Sequence, residues 1–257
     1  MTSHAAVYGA AALYDLAFGY RDFARECAFL RGVHDRRRDQ PLRSFLELAA
    51  GPARHALEMC AAGVRAAALD LSPEMAAYAT AKASERGLTL PYLVADMTSF
   101  AHPETFDVVA SMLCSATYLM TDDAFIAHLD RVHAALVDGG LYVMELPYPA
   151  DRNESKTKST WTARDGAGEL DVSWLDEETA DPRITRARVR LEYRPFDGSP
   201  PTLIEDEALQ RLYSRADVEA LVARSGRFAI DGVFGALDEA VPLDAESAWR
   251  MLVVLKT

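Results

Sequence analysis

Three acidic residues stand at or near the ends of short apolar runs: Glu47 in Ser44-Phe45-Leu46-Glu47-Leu48, Asp70 after Val64–Leu69, and Asp96 after Leu90–Val94. Between the first two lies a turn of small residues, Ala49-Ala50-Gly51-Pro52-Ala53. Small side chains let the backbone turn sharply and approach a ligand closely. Asp70 follows Gly51 by about 20 residues, a spacing that suits a carboxylate accepting from the two hydroxyls of a ribose. Asp96, one strand further on, adds a second acid able to accept from an exocyclic adenine amine. A nucleoside is therefore the ligand these residues fit. A dinucleotide fits less well, because the third glycine of GxGxxG is replaced by Arg54 and no glycine-rich pyrophosphate cradle remains.

Other chemistry-bearing residues read as structural. His128 and His133 are five apart and fall on different faces of a helix, so the sequence predicts no metal site. His55 reads as a first-turn helix residue rather than a base. Cys27, Cys60 and Cys114 lack paired spacing, which predicts free thiols in a reducing, cytoplasmic setting. The formal net charge of −12 argues against a nucleic-acid partner. The run Arg36-Arg37-Arg38, set between acids, reads as a solvated loop or helix end. No signal segment and no stretch of about 18 apolar residues is seen, so no membrane span is expected.

The elements that must position these residues follow from periodicity. Residues 5–31 carry apolar and aromatic positions at helical spacing, predicting one or two amphipathic helices. From residue 44, short apolar strands alternate with helices. Ser72-Pro73-Glu74 opens one helix, Asp122-Asp123 opens another, and Asp138-Gly139-Gly140 is expected to close the latter before a strand over 141–146. Such alternation implies a parallel sheet covered on both faces. Residues 151–158 read as a polar connector. The period then drops to two: Leu170, Val172 and Trp174 alternate with Asp171 and Ser173, and Ala187, Val189, Leu191 and Tyr193 with Arg186, Arg188, Arg190 and Glu192. The expected fold is α/β, a doubly wound, mostly parallel seven-stranded sheet with helices on both faces and an inserted antiparallel β-sheet. The expected organisation is a helical cap (1–43), a Rossmann-like core (44–150), a β insert serving as a substrate lid (151–212), and a C-terminal completion of the core sheet (213–257). The three arginines of the insert are expected to pair with acids such as Glu169 and Asp171, an anionic-substrate site being the sharper alternative.

The run FLELAAGPARHALEM resembles the first motif of class I S-adenosylmethionine-dependent methyltransferases, and AALDLSPEMAAYA their second. ADMTSF resembles the adenine-binding segment. FDVVASMLCSATYL with LVDGGLYVMEL resembles the strands that complete the site, and the C-terminal RLYSRADVEALVARSGRF and AWRMLVVLKT resemble the last helix and hairpin. The first motif departs from Gly-x-Gly-x-Gly, having alanine at 49 and 53, which keeps the turn if φ stays negative there.

The resemblance implies S-adenosyl-L-methionine as cofactor. Glu47 would contact the methionine ammonium, while Ala49 and Gly51 would let the backbone approach. Asp70 would hold the ribose, Leu71 and Met75 would lie near the adenine, and Asp96 with Met97 would take the adenine amine. Ser111 and Met112 would line the sulfonium side, and Tyr14 would close over the cofactor. LCSATYL is similar to a segment of small-molecule N-methyltransferases, aminosugar enzymes among them, in which a histidine often occupies the Tyr118 position. Tyr118 and Glu145 are the candidate catalytic residues, and Tyr148, Trp161, Trp174 and Arg211 the candidate acceptor walls. The expected function is methyl transfer to oxygen or nitrogen of a small molecule, a homodimer being compatible with it. A methyltransferase fold using the cofactor without transfer, as a cyclase or scaffold, and a nucleotide-dependent oxidoreductase are the alternatives.

Overall fold

The computed structural model describes residues 5–148 and 158–257. The chain divides into two compact units. The larger comprises the described residues within Phe23–Asn153 and Leu212–Thr257, the smaller those within Met1–Asp22 and Glu154–Arg211.

The smaller unit opens with α1 (Ala5–Gly9) and α2 (Ala11–Phe18). The larger begins with α3 (Phe23–Asp35) and continues through β1 (Ser44–Leu48), α4 (Arg54–Ala61), β2 (Arg65–Asp70), α5 (Pro73–Glu85), β3 (Tyr92–Val94), β4 (Phe106–Ser111), α6 (Asp122–Ala134) and β5 (Leu136–Leu146). The chain then forms β6 (Lys158–Arg164), β7 (Gly168–Glu178), β8 (Ile184–Pro195) and β9 (Thr202–Arg211) in the smaller unit. It returns to the larger for α7 (Arg215–Ser225), β10 (Ala229–Phe234) and β11 (Met251–Lys256). Helices thus span residues 5–35 in three pieces, divided between the units. Of the connector read over 151–158, only Lys158, the first residue of β6, lies among the described residues.

The sheet of the larger unit has the order β10-β11-β5-β4-β1-β2-β3. β1 to β5 run parallel, and β11 lies antiparallel to both β5 and β10. Alternate residues of each strand feed two cores. Leu46, Leu48, Val109, Tyr142 and Met144 pack with α6 and α7 through Phe125, Leu129, Val132, Val218 and Leu221. Phe45, Ala66, Ala68, Val108 and Val143 pack with α3, α4 and α5 through Leu30, Val33, Leu57 and Ala79. Burial on both faces explains why the strands read as near-continuous apolar runs. The doubly wound architecture expected from the sequence is the one observed.

Local chemistry sets the helix ends. Ser72 accepts from Met75 N with Pro73 at the first helical position, and Thr121 caps α6. Ser214 and Asp217 form a reciprocal capping box on α7, which Gly226 closes at φ 62°. One expected boundary is wrong. α6 ends at Ala134, not at Asp138-Gly139-Gly140, and β5 has begun by Leu136. Phe106 N donates to Ala135 O, and the β4 register jumps from Leu136 to Leu141 between Phe106 and Val108. The glycines mark a bulge inside the strand, with Gly139 at φ 68°.

In the smaller unit, β6 to β9 form an antiparallel sheet in sequence order. Leu170, Val172, Val189 and Leu191 pack with Val7, Tyr14 and Phe18 on one face. The other face is charged. Arg186 pairs with Glu207, Arg188 with Glu177 and Glu207, and Arg190 with Glu192 and Glu205. The acids named from sequence, Glu169 and Asp171, pair instead with Arg164 and Arg194. This is cross-strand charge pairing.

Candidate functional site

The sheet order places the carboxyl ends of β4, β1, β2 and β3 side by side, at the point where successive connections leave β1 in opposite directions. After β1 the chain enters the 49–53 turn with φ of 49° at Ala49, 50° at Gly51 and 55° at Ala53. Both alanines are left-handed, contrary to the negative φ expected of them. Four hydrogen bonds impose the path. Ala50 N donates to Leu69 O (2.9 Å), Ala53 N to Ala50 O (2.8 Å), Gly51 N to Asp70 Oδ2 (2.8 Å), and Tyr92 Oη to Gly51 O (2.7 Å). A left-handed L-residue costs about 1–2 kcal/mol, so the turn is held against its own preference.

Asp70 is half-buried at the end of β2. Oδ2 accepts from Gly51 N and Oδ1 from Ser72 N (2.9 Å). Burial pushes its pKa up, while the amides of Ser72, Gly51 and Leu71 pull it down. A carboxylate has about four acceptor positions, so three amides still leave acceptor capacity for a ligand hydroxyl. Ala95 N donates to Asp70 O (2.9 Å), tying the loop after β3 to the same tip. There Asp96 Oδ1 accepts from both N and Oγ1 of Thr98, each at 2.7 Å.

Glu47 is buried beneath the turn. Its Oε2 accepts from Ala56 N (2.7 Å), and its Oε1 lies 2.7 Å from His55 Nδ1. His55 Nε2 lies 2.7 Å from Glu26 Oε2 on α3. Burial opposes charge on the imidazole, but Glu47 and Glu26 outweigh it and raise the pKa to about 9. The two acids therefore favour the protonated form of the imidazole between them, below the Gly51 turn.

At the end of β4, Ser111 is fully buried, its hydroxyl beside the buried Tyr142 phenol, where it counters the upward push of burial on that group's pKa. Met112 is buried beside it, and Leu113 and Cys114 follow at φ 53° and 62°. Glu145, fully buried on β5, accepts from Leu113 N (2.8 Å) and from Arg250 Nε (3.1 Å). Its carboxylate braces this strained pair. A short 3-10 turn, Ser115–Tyr118, follows and ends on half-buried Tyr118. Tyr148 is half-buried just past β5. Met97 is half-buried in the β3 loop, Met75 is core at 1% exposure, and Leu71 is 57% exposed.

Tyr14, Trp161, Trp174 and Arg211 belong to the smaller unit. There the Tyr14 and Phe18 rings lie 4.7 Å apart and those of Phe18 and Trp161 5.8 Å apart, and Trp161 Nε1 donates to Ala17 O (2.7 Å). Trp174 Nε1 donates to Asp176 (3.1 Å), and Arg211 is buried at the end of β9. A surface cavity of about 430 Å³ lined by residues 226–231, 256 and 257 lies by the start of β10, at the opposite end of the sheet from the acidic tips, and holds none of the candidate residues.

Sequence reasoning missed Glu26, Tyr92, His128 and Tyr142 and underrated His55. Glu26 left a signal: it lies on the same helical stripe as Leu30 and Val33, where an acid needs a buried partner. Among the described residues, no group of acids, histidines and cysteines could hold a metal, and no helix is long and apolar enough to cross a membrane.

Residues 45–140, which carry the carboxyl ends of β1 to β4, match a family model described as a methyltransferase domain. No curated relative matches the chain. Among solved structures, an S-adenosylmethionine-dependent methyltransferase from Clostridium acetobutylicum is 19% identical, with 96% of each chain covered and a TM-score of 0.80. The sugar N-methyltransferase from a Streptoalloteichus species is 22% identical over 94% of this chain and 92% of its own, with a TM-score of 0.75. An amino pentose methyltransferase from Micromonospora echinaspora is 20% identical over 95% and 96%, with a TM-score of 0.73. Residues 45–140 thus match a methyltransferase domain, and the fold built around them is the one seen in S-adenosylmethionine-dependent methyltransferases.

Proposed function

We propose that the protein moves a methyl group from S-adenosylmethionine to a nitrogen or oxygen of a small molecule, and that an amino sugar is the acceptor class to test first. The observation that carries the reading is the row of carboxylates on neighbouring strand tips, cross-tied by backbone amides. Asp70 keeps acceptor capacity for the ribose diol. Both bonds to Asp96 fall on Oδ1, which suits Oδ2 to the adenine amine. The acids of the Glu26–His55–Glu47 trio stand below the Gly51 turn, on the side suited to the methionine ammonium. Glu47 acts there as a positioning residue, because both its oxygens are engaged.

When bound, the cofactor supplies a methyl already activated on its sulfonium. The chain's task is then alignment, water exclusion and removal of one proton where the acceptor is protonated. Tyr118, at the end of the 3-10 turn, orients the acceptor or takes that proton. Ala49, Leu71, Met75, Met97 and Met112 shape the cofactor side, and Tyr148 the acceptor side. Tyr14, Trp161, Trp174 and Arg211, all in the smaller unit, are the residues whose substitution tests that unit's contribution to cofactor and acceptor affinity. The setting is cytoplasmic, without nucleic acid, and a homodimer fits it. An amino pentose methyltransferase and a sugar N-methyltransferase share this fold, which supports the choice of first acceptor.

Calorimetric titration with S-adenosylhomocysteine tests the cofactor. Binding is expected, and Asp70→Ala should weaken it by about 1–3 kcal/mol, the cost of leaving ribose hydroxyls unpaired. Unchanged affinity removes Asp70 from the site. A labelled methyl donor offered with amino sugars tests transfer, and label that never leaves the donor refutes it.

A further inference from the structure

The loop that carries Asp96 is pinned from behind by a buried polar pair that the reaction itself does not need. His128 on α6 and Tyr142 on β5 are both fully buried within an otherwise apolar cluster that includes Phe125, Leu129 and Met144. His128 Nδ1 lies 3.1 Å from Met97 O, and a carbonyl oxygen only accepts, so Nδ1 carries the proton. His128 Nε2 lies 2.7 Å from Tyr142 Oη and accepts from it. Burial keeps the ring neutral, holding its pKa down at about 4.

Tyr142 is itself anchored between two strands, in register with Val109 of β4 and Leu255 of β11. The Met97 carbonyl is therefore tied to the middle of the sheet by two hydrogen bonds in series. On its other side, Ala95 N is tied to Asp70 O, and Thr98 closes on Asp96 Oδ1. Residues 95–98 are fixed at three points, and those points decide where the second oxygen of Asp96 lies. Two buried hydroxyl and imidazole groups in an apolar core carry a desolvation cost that an apolar pair of the same shape avoids. What they give in return is the placement of one backbone carbonyl, adjacent to the acid.

We propose that His128, oriented by Tyr142, is a positioning residue for the 95–98 loop and thereby sets selectivity for a 6-amino purine. This rests on the reading of Asp96 as acceptor for the adenine amine. A 6-oxo purine presents an acceptor to that carboxylate, so a fixed loop rejects it and a loosened loop tolerates it.

The test compares binding of S-adenosylhomocysteine and S-inosylhomocysteine by calorimetry, with thermal melts of every protein. The wild type should prefer the 6-amino ligand by on the order of tenfold or more. His128→Leu and Tyr142→Phe should reduce that preference to about threefold or less, chiefly by weakening the 6-amino ligand, while still melting cooperatively. His128→Asn keeps a donor near the Nδ1 position and should restore most of the preference. A second measurement needs no substitution: in 15N-labelled wild type the His128 ring should show the neutral Nδ1–H form and shift when S-adenosylhomocysteine is added. Folded variants with undiminished preference, or His128 resonances unmoved by ligand, overturn the positioning role alone. A wild type that binds neither ligand, or both equally, overturns the reading of Asp96 along with it.

Discussion

Ala49 gives the sharpest test of how the cofactor turn is held. Its φ of 49° places an L-residue with a Cβ where glycine alone is comfortable. The left-handed conformation costs alanine about 1–2 kcal/mol, and glycine avoids it. Glycine carries a penalty of roughly 0.5–1 kcal/mol through greater freedom in the unfolded chain. Ala49 is only half-buried, so removing its methyl loses little packing. Ala49→Gly should therefore stabilise the protein by about 0.5–1 kcal/mol, which for a chain of this size raises Tm by about 1–4 °C.

Ala53 is the internal control. Its φ of 55° is just as strained, but the residue is fully buried. Losing a buried methyl costs about 0.8 kcal/mol, which cancels the relief, so Ala53→Gly should change stability by less than about 0.5 kcal/mol. Urea unfolding with a common m-value and calorimetric melting read both numbers. The order of the two variants is the informative outcome. If Ala49→Gly melts at or below the wild type, or if Ala53→Gly is the more stabilised, the turn is not under the strain its dihedrals imply.

Three other perturbations have worked-out signs. His55 has a folded pKa near 9, above its unfolded value, so its contribution is full below pH 6.5 and is lost as pH rises through about 9. That difference corresponds to on the order of 3 kcal/mol, and His55→Leu should flatten the fall in Tm between pH 6.5 and 9. Ser111→Ala removes the hydroxyl beside the buried Tyr142 phenol and should lower stability by about 1 kcal/mol, measured by denaturant titration; unchanged or raised stability would mean that the two hydroxyls do not interact. Glu145→Ala should cost about 1–3 kcal/mol by removing the acceptor of the Leu113 amide and one partner of Arg250. Cys114→Gly, which relaxes one of the two left-handed residues Glu145 holds, should recover about 1 kcal/mol of that loss. Additive behaviour of the pair in a double-mutant cycle would separate Glu145 from the turn.

Much of the fold was legible because period and punctuation agree along the chain. Burial on both faces made β1, β2 and β4 continuous apolar runs, and Ser72-Pro73 and Asp122-Asp123 announced helix starts that the structure contains. Where punctuation misled, the cause was tertiary. Asp138-Gly139-Gly140 has the composition of a helix stop, but pairing of Leu136 with Phe106 drew the chain into the sheet first and turned the glycines into a bulge. The left-handed alanines escaped notice for a related reason. Their dihedrals are set by Leu69 O, Asp70 and Tyr92, none of which is a sequence neighbour of the turn.

The same distinction separates the candidate residues. Asp70 and Asp96 each close on an amide two residues away, at Ser72 and Thr98, so their placement is a property of a few adjacent residues and the sequence displays it. Glu145 stands at a strand end in the same way, yet Arg250, brought alongside by antiparallel β11 from 105 residues away, converts it from an exposed acid into a buried brace. His55 becomes an imidazolium only because α3 delivers Glu26 from 29 residues upstream. A residue that meets a ligand has its type dictated by the ligand and sits at a strand tip. A residue that holds it meets partners from distant elements, and many pairs of side chains could fill the same space. Residue type at a strand tip therefore predicts recognition, whereas the rigidity behind that recognition depends on which elements the sheet order makes neighbours, as it does for His128 and Tyr142 behind the Asp96 loop.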